Sequence, residues 1–361
     1  MLAVGLMSGT SMDGVDAALI ETDGVEAVRR IALATTPYDE GFRARLRDVM
    51  ATALTMAAPA RLAAIEAVAD ELTRAHAVVV GRLLDEAGVD AATIDVVGFH
   101  GQTIAHRPDR QWTWQIGSGP LLAELTGIAV VSDFRSADVA AGGQGAPLAC
   151  AYHRALVARL GDEPVAVLNL GGVGNITWFG PSGWGSFDTG PANALIDDWV
   201  RAENGLSHDE GGRLAASGNV HEHVVASMMD LEWFDLPGPK SLDRADFSLE
   251  AARGLSLADG AATLTAFTAA TVAAALRHVA DRPARLLVTG GGRHNATLMA
   301  MLAERTGVAV MPVEAVGWDG DALEAEAFAY LAVRVWQGLP TSFPQTTGVP
   351  QPVCGGVVSA P

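Results

Sequence analysis

The chain has 361 residues, nearly half of them hydrophobic, and its 42 acidic side chains against 24 basic ones leave a formal net charge of −18. That length suits two domains around separate cores. The acidic balance argues against a nucleic-acid backbone or an anionic membrane surface as partner, yet leaves nucleotides open, because local N–H donors and a divalent cation outweigh a distant net charge.

The predicted elements begin with an apolar strand at residues 2–7, a second at 15–22 and a third at 25–34, with Asp23-Gly24 as hairpin turn. Residues 59–88 predict an amphipathic helix: Leu62, Ile65, Ala69, Leu72, His76, Val79 and Leu83 recur at spacings of three and four, and Gly88 ends it. Short apolar strands at 94–99 and 128–132 and a helix at 147–160 follow. The pattern then restarts. A strand at 165–170 leads into Gly171-Gly172, further strands cover 175–179 and 184–187, and a helix opens near Pro191, which suits a first helical turn. A helix at 261–280, a strand at 285–289, the turn Gly290-Gly291-Gly292, a helix from about Asn295, a strand at 308–312 and a helix at 321–337 complete the order. The stretch 339–361, rich in Pro, Gly, Ser and Thr, reads as a packed strap or as partly disordered chain.

Strand, glycine turn and strand thus occur twice, in 2–22 and in 165–179. This predicts an α/β chain of two similar domains with mixed β-sheets flanked by helices. Residues 1–163 with 321–361 form the N-terminal domain and 164–320 the C-terminal domain.

Other classes drop out on chemistry. Cys150 and Cys354, the two cysteines, make neither a disulfide framework nor a thiolate metal cluster. The N-terminus lacks a basic n-region, and no apolar run is read as a bilayer span; 261–275 carries threonines and reads as a buried helix. The expected compartment is the cytoplasm. Walker A needs Gly-Lys-Ser/Thr, but Lys240, the one lysine, follows Pro239. It stands in a predicted loop, with ligand contact left open. Gly172-Val173-Gly174 fails the dinucleotide fingerprint, since Thr177 stands where the last glycine belongs. His221 and His223 flank Glu222 in a helical stretch, where neighbours face different ways, so they do not read as metal ligands.

Three glycine turns at strand ends remain. Gly9-Thr10-Ser11-Met12-Asp13-Gly14 is either an ordinary hairpin or an anion nest of N–H groups and hydroxyls, with Asp13 able to hold Mg²⁺ directly or through water. Gly171-Gly172-Val173-Gly174-Asn175 is equally open alone. Gly290-Gly291-Gly292 is a strand-to-helix connection or a surface for a flat adenine ring. Three such turns in this order favour ATP.

The arrangement resembles the actin, sugar-kinase and heat-shock chaperone ATPase superfamily, and within it the anhydro-N-acetylmuramic acid kinase family. The residues carrying the resemblance are Gly5-Leu6-Met7-Ser8-Gly9-Thr10-Ser11-Met12-Asp13-Gly14-Val15-Asp16, His100-Gly101-Gln102-Thr103, Asp133-Phe134-Arg135 and Asp138-Val139-Ala140-Ala141-Gly142-Gly143-Gln144-Gly145-Ala146-Pro147-Leu148. They continue in Asn169-Leu170-Gly171-Gly172 with Asn175, Phe187-Asp188-Thr189-Gly190-Pro191-Ala192-Asn193, Pro239-Lys240-Ser241, Gly290-Gly291-Gly292 with Asn295, and Glu324-Ala325.

The resemblance implies a ribonuclease H-like, actin-type ATPase fold with an active site in the interdomain cleft. It implies phosphorylation of 1,6-anhydro-N-acetylmuramic acid with ATP and Mg²⁺, hydrolytic opening of the anhydro ring, and a place in peptidoglycan recycling. A homodimer is a family-level expectation; the other partner is the small amino sugar. Gly9, Thr10, Ser11, Met12, Asp13, Gly14, Val15, Asp16, Gly171, Gly172, Asn175, Gly290, Gly291, Gly292 and Asn295 are the implied nucleotide residues. Gln102, Thr103, Arg135 and Glu324 are the implied sugar and lactyl-carboxylate contacts, Arg135 because a guanidinium pairs with a carboxylate in bidentate fashion. A structural ion pair is the other reading of Arg135. Asp188 is the implied catalytic base, the alternative being a cap on the helix near Pro191. His100, Asp133 and 142–145 read as loop supports or donors. Two places depart from the family pattern: Ser118-Gly119-Pro120 after Gln115-Ile116-Gly117, and Leu242-Asp243-Arg244 after Ser241. The second weakens a carry-over of the Lys240 loop to ligand binding. Rival readings are the same fold acting on another sugar or a carboxylic acid, and an ATP-driven sugar sensor.

Overall fold

The apolar run at the N-terminus forms β1 (Leu2–Met7), which pairs antiparallel with β2 (Gly14–Thr22), itself antiparallel to β3 (Val28–Pro37). This is a computed structural model, and it describes residues 1–9, 12–242 and 247–361. Helices α1 (Glu40–Leu54) and α2 (Ala63–Ala87) follow, then β4 (Val96–Phe99), parallel to β1. A separate hairpin, β5 (Gln102–Arg107) with β6 (Trp112–Ile116), precedes α3 (Gly119–Thr126) and β7 (Val130–Ser132), which is parallel to β4. Short helices α4 (Ser136–Ala140) and α5 (Cys150–Val157) come next.

The same order then recurs. Strands β8 (Val165–Leu170), β9 (Gly174–Gly180) and β10 (Gly183–Gly190) form an antiparallel meander. Helices α6 (Ala194–Asn204), α7 (Arg213–Ser217), α8 (Glu222–Met229) and α9 (Leu257–Ala275) lead to β11 (Arg285–Thr289), parallel to β8. Helix α10 (Ala296–Thr306) and β12 (Ala309–Pro312), parallel to β11, complete this sheet. The chain ends with α11 (Leu323–Trp336), α12 (Pro344–Thr347) and β13 (Val357–Ser359), the last antiparallel to β7. The sheet orders are β13-β7-β4-β1-β2-β3 and β10-β9-β8-β11-β12. Counted from the first strand of each, both run 3-2-1-4-5, with β13 as an added edge. Two mixed sheets of one topology, flanked by helices, are the α/β architecture that the glycine-turn repeat predicts.

Contacts divide the chain into two compact units, Met1–Arg159 with Ala322–Pro361 and Leu160–Asp321. Domain limits at 163 and 320 are the sequence expectation. The few residues' difference has local causes: Leu160 O accepts from Arg285 Nη2, Pro164 O from the Ala284 N–H, and Asp321 pairs with Arg293, all within the second unit.

Several elements differ from expectation. Helix α2 starts at Ala63 because Leu62 is still extended. Helix α1 was not expected, although Asp39 caps it at the Phe42 N–H and Phe42, Leu46, Val49 and Ala53 form its buried stripe. Strand β10 runs through Asp188 to Gly190, so the next helix starts at Ala194 rather than at Pro191. The C-terminal stretch is a packed strap ending in a sheet edge. Helix α9 corrects the membrane reading in part: it is long and apolar enough to cross a membrane, and most of its residues are buried in the fold. Its Ala269, Val272 and Ala275 pack on the sheet, and Leu264, Ala266 and Phe267 join a second cluster with α6 and α8, so it is apolar on nearly every side.

In the first unit, α11 lies directly on the sheet. Gly5 and Gly98 permit this, because a Cβ on either would overlap a backbone carbonyl of the helix, Ala325 O or Phe328 O. Gly5→Ala is expected to lower stability by about 1–3 kcal/mol or more through overpacking, read as an earlier urea midpoint. An unchanged midpoint would contradict the close approach.

Candidate active site

The first glycine turn joins β1 to β2. The Met12 N–H donates to Gly9 O (3.1 Å), the Tyr38 N–H to Asp13 O (2.9 Å), and Met12 holds φ +56°, a conformation that non-glycine residues seldom take. Thr10 and Ser11 lie outside the described residues. The Asp13 carboxylate is exposed and 3.3 Å from Arg43 Nη2. Val15 is buried in the core, and Asp16 accepts from Thr35 Oγ1 on the neighbouring strand (2.8 Å). Behind the turn a buried relay runs from Tyr38 OH to Ser8 Oγ (2.9 Å), from Ser8 Oγ to Gln102 Oε1 (2.6 Å), and from Gln102 Nε2 to Gly9 O (3.2 Å). The Gln102 amide therefore supports the turn from within. Thr103 Oγ1 accepts from Gln115 Nε2 (3.1 Å) across the β5–β6 hairpin.

The second turn joins β8 to β9. Gly171 O accepts from the Asn193 N–H (3.0 Å) and Gly172 O from the Ala194 N–H (3.3 Å), while Asn193 Nδ2 donates to Leu170 O (2.8 Å). A trans peptide points its N–H opposite to its C=O. The N–H groups of Gly172 and Val173 are thus directed away from the start of α6, as an anion nest requires.

The third turn follows β11. Gly290 has φ +76°, and a Cβ there would overlap Asn169 Oδ1 and the Leu170 carbonyl. Gly292 abuts Leu170, whereas a Cβ on Gly291 would make only an ordinary contact with Asn193 Nδ2 (3.8 Å). Asn295 Oδ1 caps α10 at the Leu298 N–H (2.9 Å). Arg293, which the sequence reading passed over, braces the turn: Nη1 donates to Gly290 O (3.1 Å), Nε to Glu314 (2.8 Å), and Nη2 lies 2.8 Å from Asp321. Its position directly after three glycines is the signal that could have found it.

Sheet register gathers the second and third turns with Asp188. Asp188 pairs with Asn175, Asn175 with Asn169, and Asn169 with Thr289, one rung across β10, β9, β8 and β11. Side chains directly opposite on neighbouring strands share a face. Asp188 is buried. Its N–H donates to Lys240 O (3.0 Å) and its Oδ2 accepts from the Leu242 N–H (2.8 Å). It does not stand at the cap position of α6, which begins six residues later and has Asn193 there. Lys240, open in the sequence reading, is buried: Nζ donates to Trp233 O (2.9 Å) and Leu236 O (2.8 Å) and lies 4.0 Å above the Trp233 ring. Burial pushes its ammonium down to about 8.

In the first unit, Arg135 Nε donates to His100 Nε2 (3.1 Å) and Nη1 to Gly145 O (2.8 Å). Buried Asp138 accepts from the Gly145 N–H and from Thr347 Oγ1 (2.6 Å each), and the Gln144 N–H donates to Thr347 O (2.7 Å). The strap thereby anchors residues 142–145, a role with no local sequence signal. Asp133 holds φ +54° and accepts from the Ser136 N–H (3.3 Å). Glu324 is exposed in the first turn of α11.

Burial, then the Arg135 charge, holds His100 well below the usual histidine range, and its ring accepts from Arg135 as a neutral base. Burial pushes His76 and His153 down to about 4. All three stay neutral in the fold and protonate near 6.5 when unfolded. Stability is therefore full above pH 6.5 and falls as pH drops toward 4, by about 1.4 kcal/mol per pH unit for each histidine. Urea midpoints at pH 7.5, 6.5 and 5 should show this loss, and His76→Asn should flatten the slope; a pH-independent midpoint would contradict it.

Two units of one topology, each with a glycine turn after its first strand, and a third glycine turn after the second unit's fourth strand define a chain of the actin-type ATPase fold. The chain belongs to the anhydro-N-acetylmuramic acid kinase family, whose family model matches residues 1–360. Among its relatives, the anhydro-N-acetylmuramic acid kinase of Rhizorhabdus wittichii is 60% identical over 364 aligned positions, covering 100% of this chain and 99% of the relative. That of Zymomonas mobilis is 52% identical over 361, covering 99% of each, and that of Rhodospirillum rubrum 54% over 357, covering 98% of this chain and 93% of the relative. It is therefore an enzyme of the kinase class.

Proposed function

We propose that the chain phosphorylates 1,6-anhydro-N-acetylmuramic acid at O6 with ATP while water opens the anhydro ring, giving N-acetylmuramic acid 6-phosphate and ADP. The observation that carries this reading is the match, along essentially the whole chain, to relatives named anhydro-N-acetylmuramic acid kinases, which supports a kinase on that sugar. Asp188 takes the proton of a water that attacks the anomeric carbon; the bond from that carbon to O6 breaks, and O6 takes the γ-phosphoryl group as ADP leaves. A buried carboxylate that accepts from the Leu242 N–H, on a residue whose own N–H is held by Lys240 O, supports that role, because its direction is set before the water arrives.

The residues present fit a nucleotide. The Gly172 and Val173 N–H groups are directed away from α6, and Gly9, Met12 and Asp13 belong to the corresponding turn of the first unit, with Gly14, Val15 and Asp16 opening the strand that follows; in the sequence Thr10 and Ser11 complete this run. Asn175 belongs with Gly171 and Gly172 on the phosphate side, and Gly290, Gly291, Gly292 and Asn295 hold the adenosine side, where an added Cβ at Gly291 would meet only Asn193 Nδ2 at 3.8 Å, leaving room for a flat ring. The exposed Asp13 carboxylate fits a Mg²⁺ carried on the phosphates, directly or through water, since Mg²⁺ needs few protein ligands there. When bound, the ion neutralises charge developing on the transferred phosphoryl group. Thr103, Arg135 and Glu324 contact the sugar, with the Arg135 guanidinium taking the lactyl carboxylate. Gln102, expected beside them, is instead buried and supports the nucleotide turn through Gly9 O. The reaction belongs to peptidoglycan recycling in the cytoplasm, with the chain acting as a homodimer.

Purified protein with ATP, Mg²⁺ and the anhydro sugar should yield a product whose mass is that of the substrate plus one phosphoryl group (HPO₃) and one water. Asp188→Asn should lower kcat by about 10²–10⁴-fold while still binding ADP in calorimetry. A product lacking the added water, or near-normal turnover in the variant, would contradict the scheme.

A further inference from the structure

The segment ending in Lys240 is folded around its own amine. Trp233 lies within the helical turn Glu232–Asp235 and Leu236 directly follows it; Nζ donates to both carbonyls, that of Trp233 also accepting from the Leu236 N–H (3.3 Å). The cation also lies 4.0 Å above the Trp233 ring and 5.8 Å from the centroid of Phe187, the residue preceding Asp188. Gly238 passes so close to that ring that a Cβ would overlap it. The side chain is thus committed to the fold of residues 233–240.

Its main chain is committed to Asp188. Lys240 O accepts from the Asp188 N–H, and the Leu242 N–H donates to Asp188 Oδ2. Residues 240 and 242 therefore grip backbone and carboxylate together, beside the irregular register between Asp188 and Gly190 where β10 leaves β9. Asp188 is the last in-register residue before that shift, so Lys240 and Leu242 hold the main chain where the ladder with β9 becomes irregular.

We propose that Lys240 is a positioning residue for the transfer reaction: it acts through Asp188, by fixing the main chain that aims the carboxylate, and touches no ligand. The proposal rests on the reading of Asp188 as the base. Lys240→Met keeps the volume and removes the donors; Lys240→Gln keeps two N–H donors on a shorter arm.

Steady-state kinetics of K240M, K240Q, D188N and the double variant D188N/K240M, with melting curves for each, test it. K240M should lower kcat about tenfold or more, the scale of a small misplacement of a reacting group, with KM for ATP and for the sugar held within about twofold. K240Q should recover part of kcat, and the double variant should be no slower than D188N alone. If K240M does not fold, K240Q carries the same comparison against wild type. A rise in either KM with kcat unchanged would show a ligand contact and overturn the proposal, as would wild-type kcat in K240M. Near-normal kcat in D188N would instead overturn the reading of the base, whatever K240M does.

Discussion

Everything proposed for the chemistry depends on the hold on Asp188. A buried carboxylate without partners is unfavourable, and one that swings is a poor base. Here the Leu242 N–H fixes one oxygen and the Lys240 carbonyl fixes the residue's own N–H. The strand rung adds the rest: Asn175, Asn169 and Thr289 continue from Asp188 across the sheet, so the β8–β9 turn and the Gly290 turn emerge beside the carboxylate by register alone.

The first unit works through close approach and buried polar links. Gly5 and Gly98 let α11 lie on β1 and β4, which places Glu324 at a defined helix start. The Tyr38–Ser8–Gln102 relay ends on the Gly9 carbonyl, and Arg135 is held between His100 and Gly145. Each link pairs buried polar groups with one another, which matters because an unmade buried hydrogen bond costs about 1–3 kcal/mol. Asp138 and Thr347 extend this network to the C-terminal strap, which turns a Pro- and Gly-rich stretch into a support for the 142–145 loop.

What was legible in the sequence follows from what is local. Strands β1, β8 and β11 are short apolar runs, and their observed bounds match their expected ones. The glycine turns announce themselves by composition. Helix α1 escaped notice because Arg43, Arg45, Arg47 and Asp48 dilute its apolar stripe. Strand β13 is three residues long and exists only because β7 offers an edge. The end of β10 was masked by Pro191, which resembles a helix start but here lies between the strand and α6. The bracing of Asp188 by Lys240, 52 positions apart in the sequence, could not be read from either neighbourhood alone.

The central claim is that Asp188 delivers water to the sugar while the phosphoryl group moves to O6. Turnover in oxygen-18-labelled water, with the product fragmented by mass spectrometry immediately after mixing, tests it most directly. The account predicts one labelled oxygen on the anomeric carbon and none in the phosphate. Label in the phosphate, or a product with the anhydro bridge intact, would contradict it.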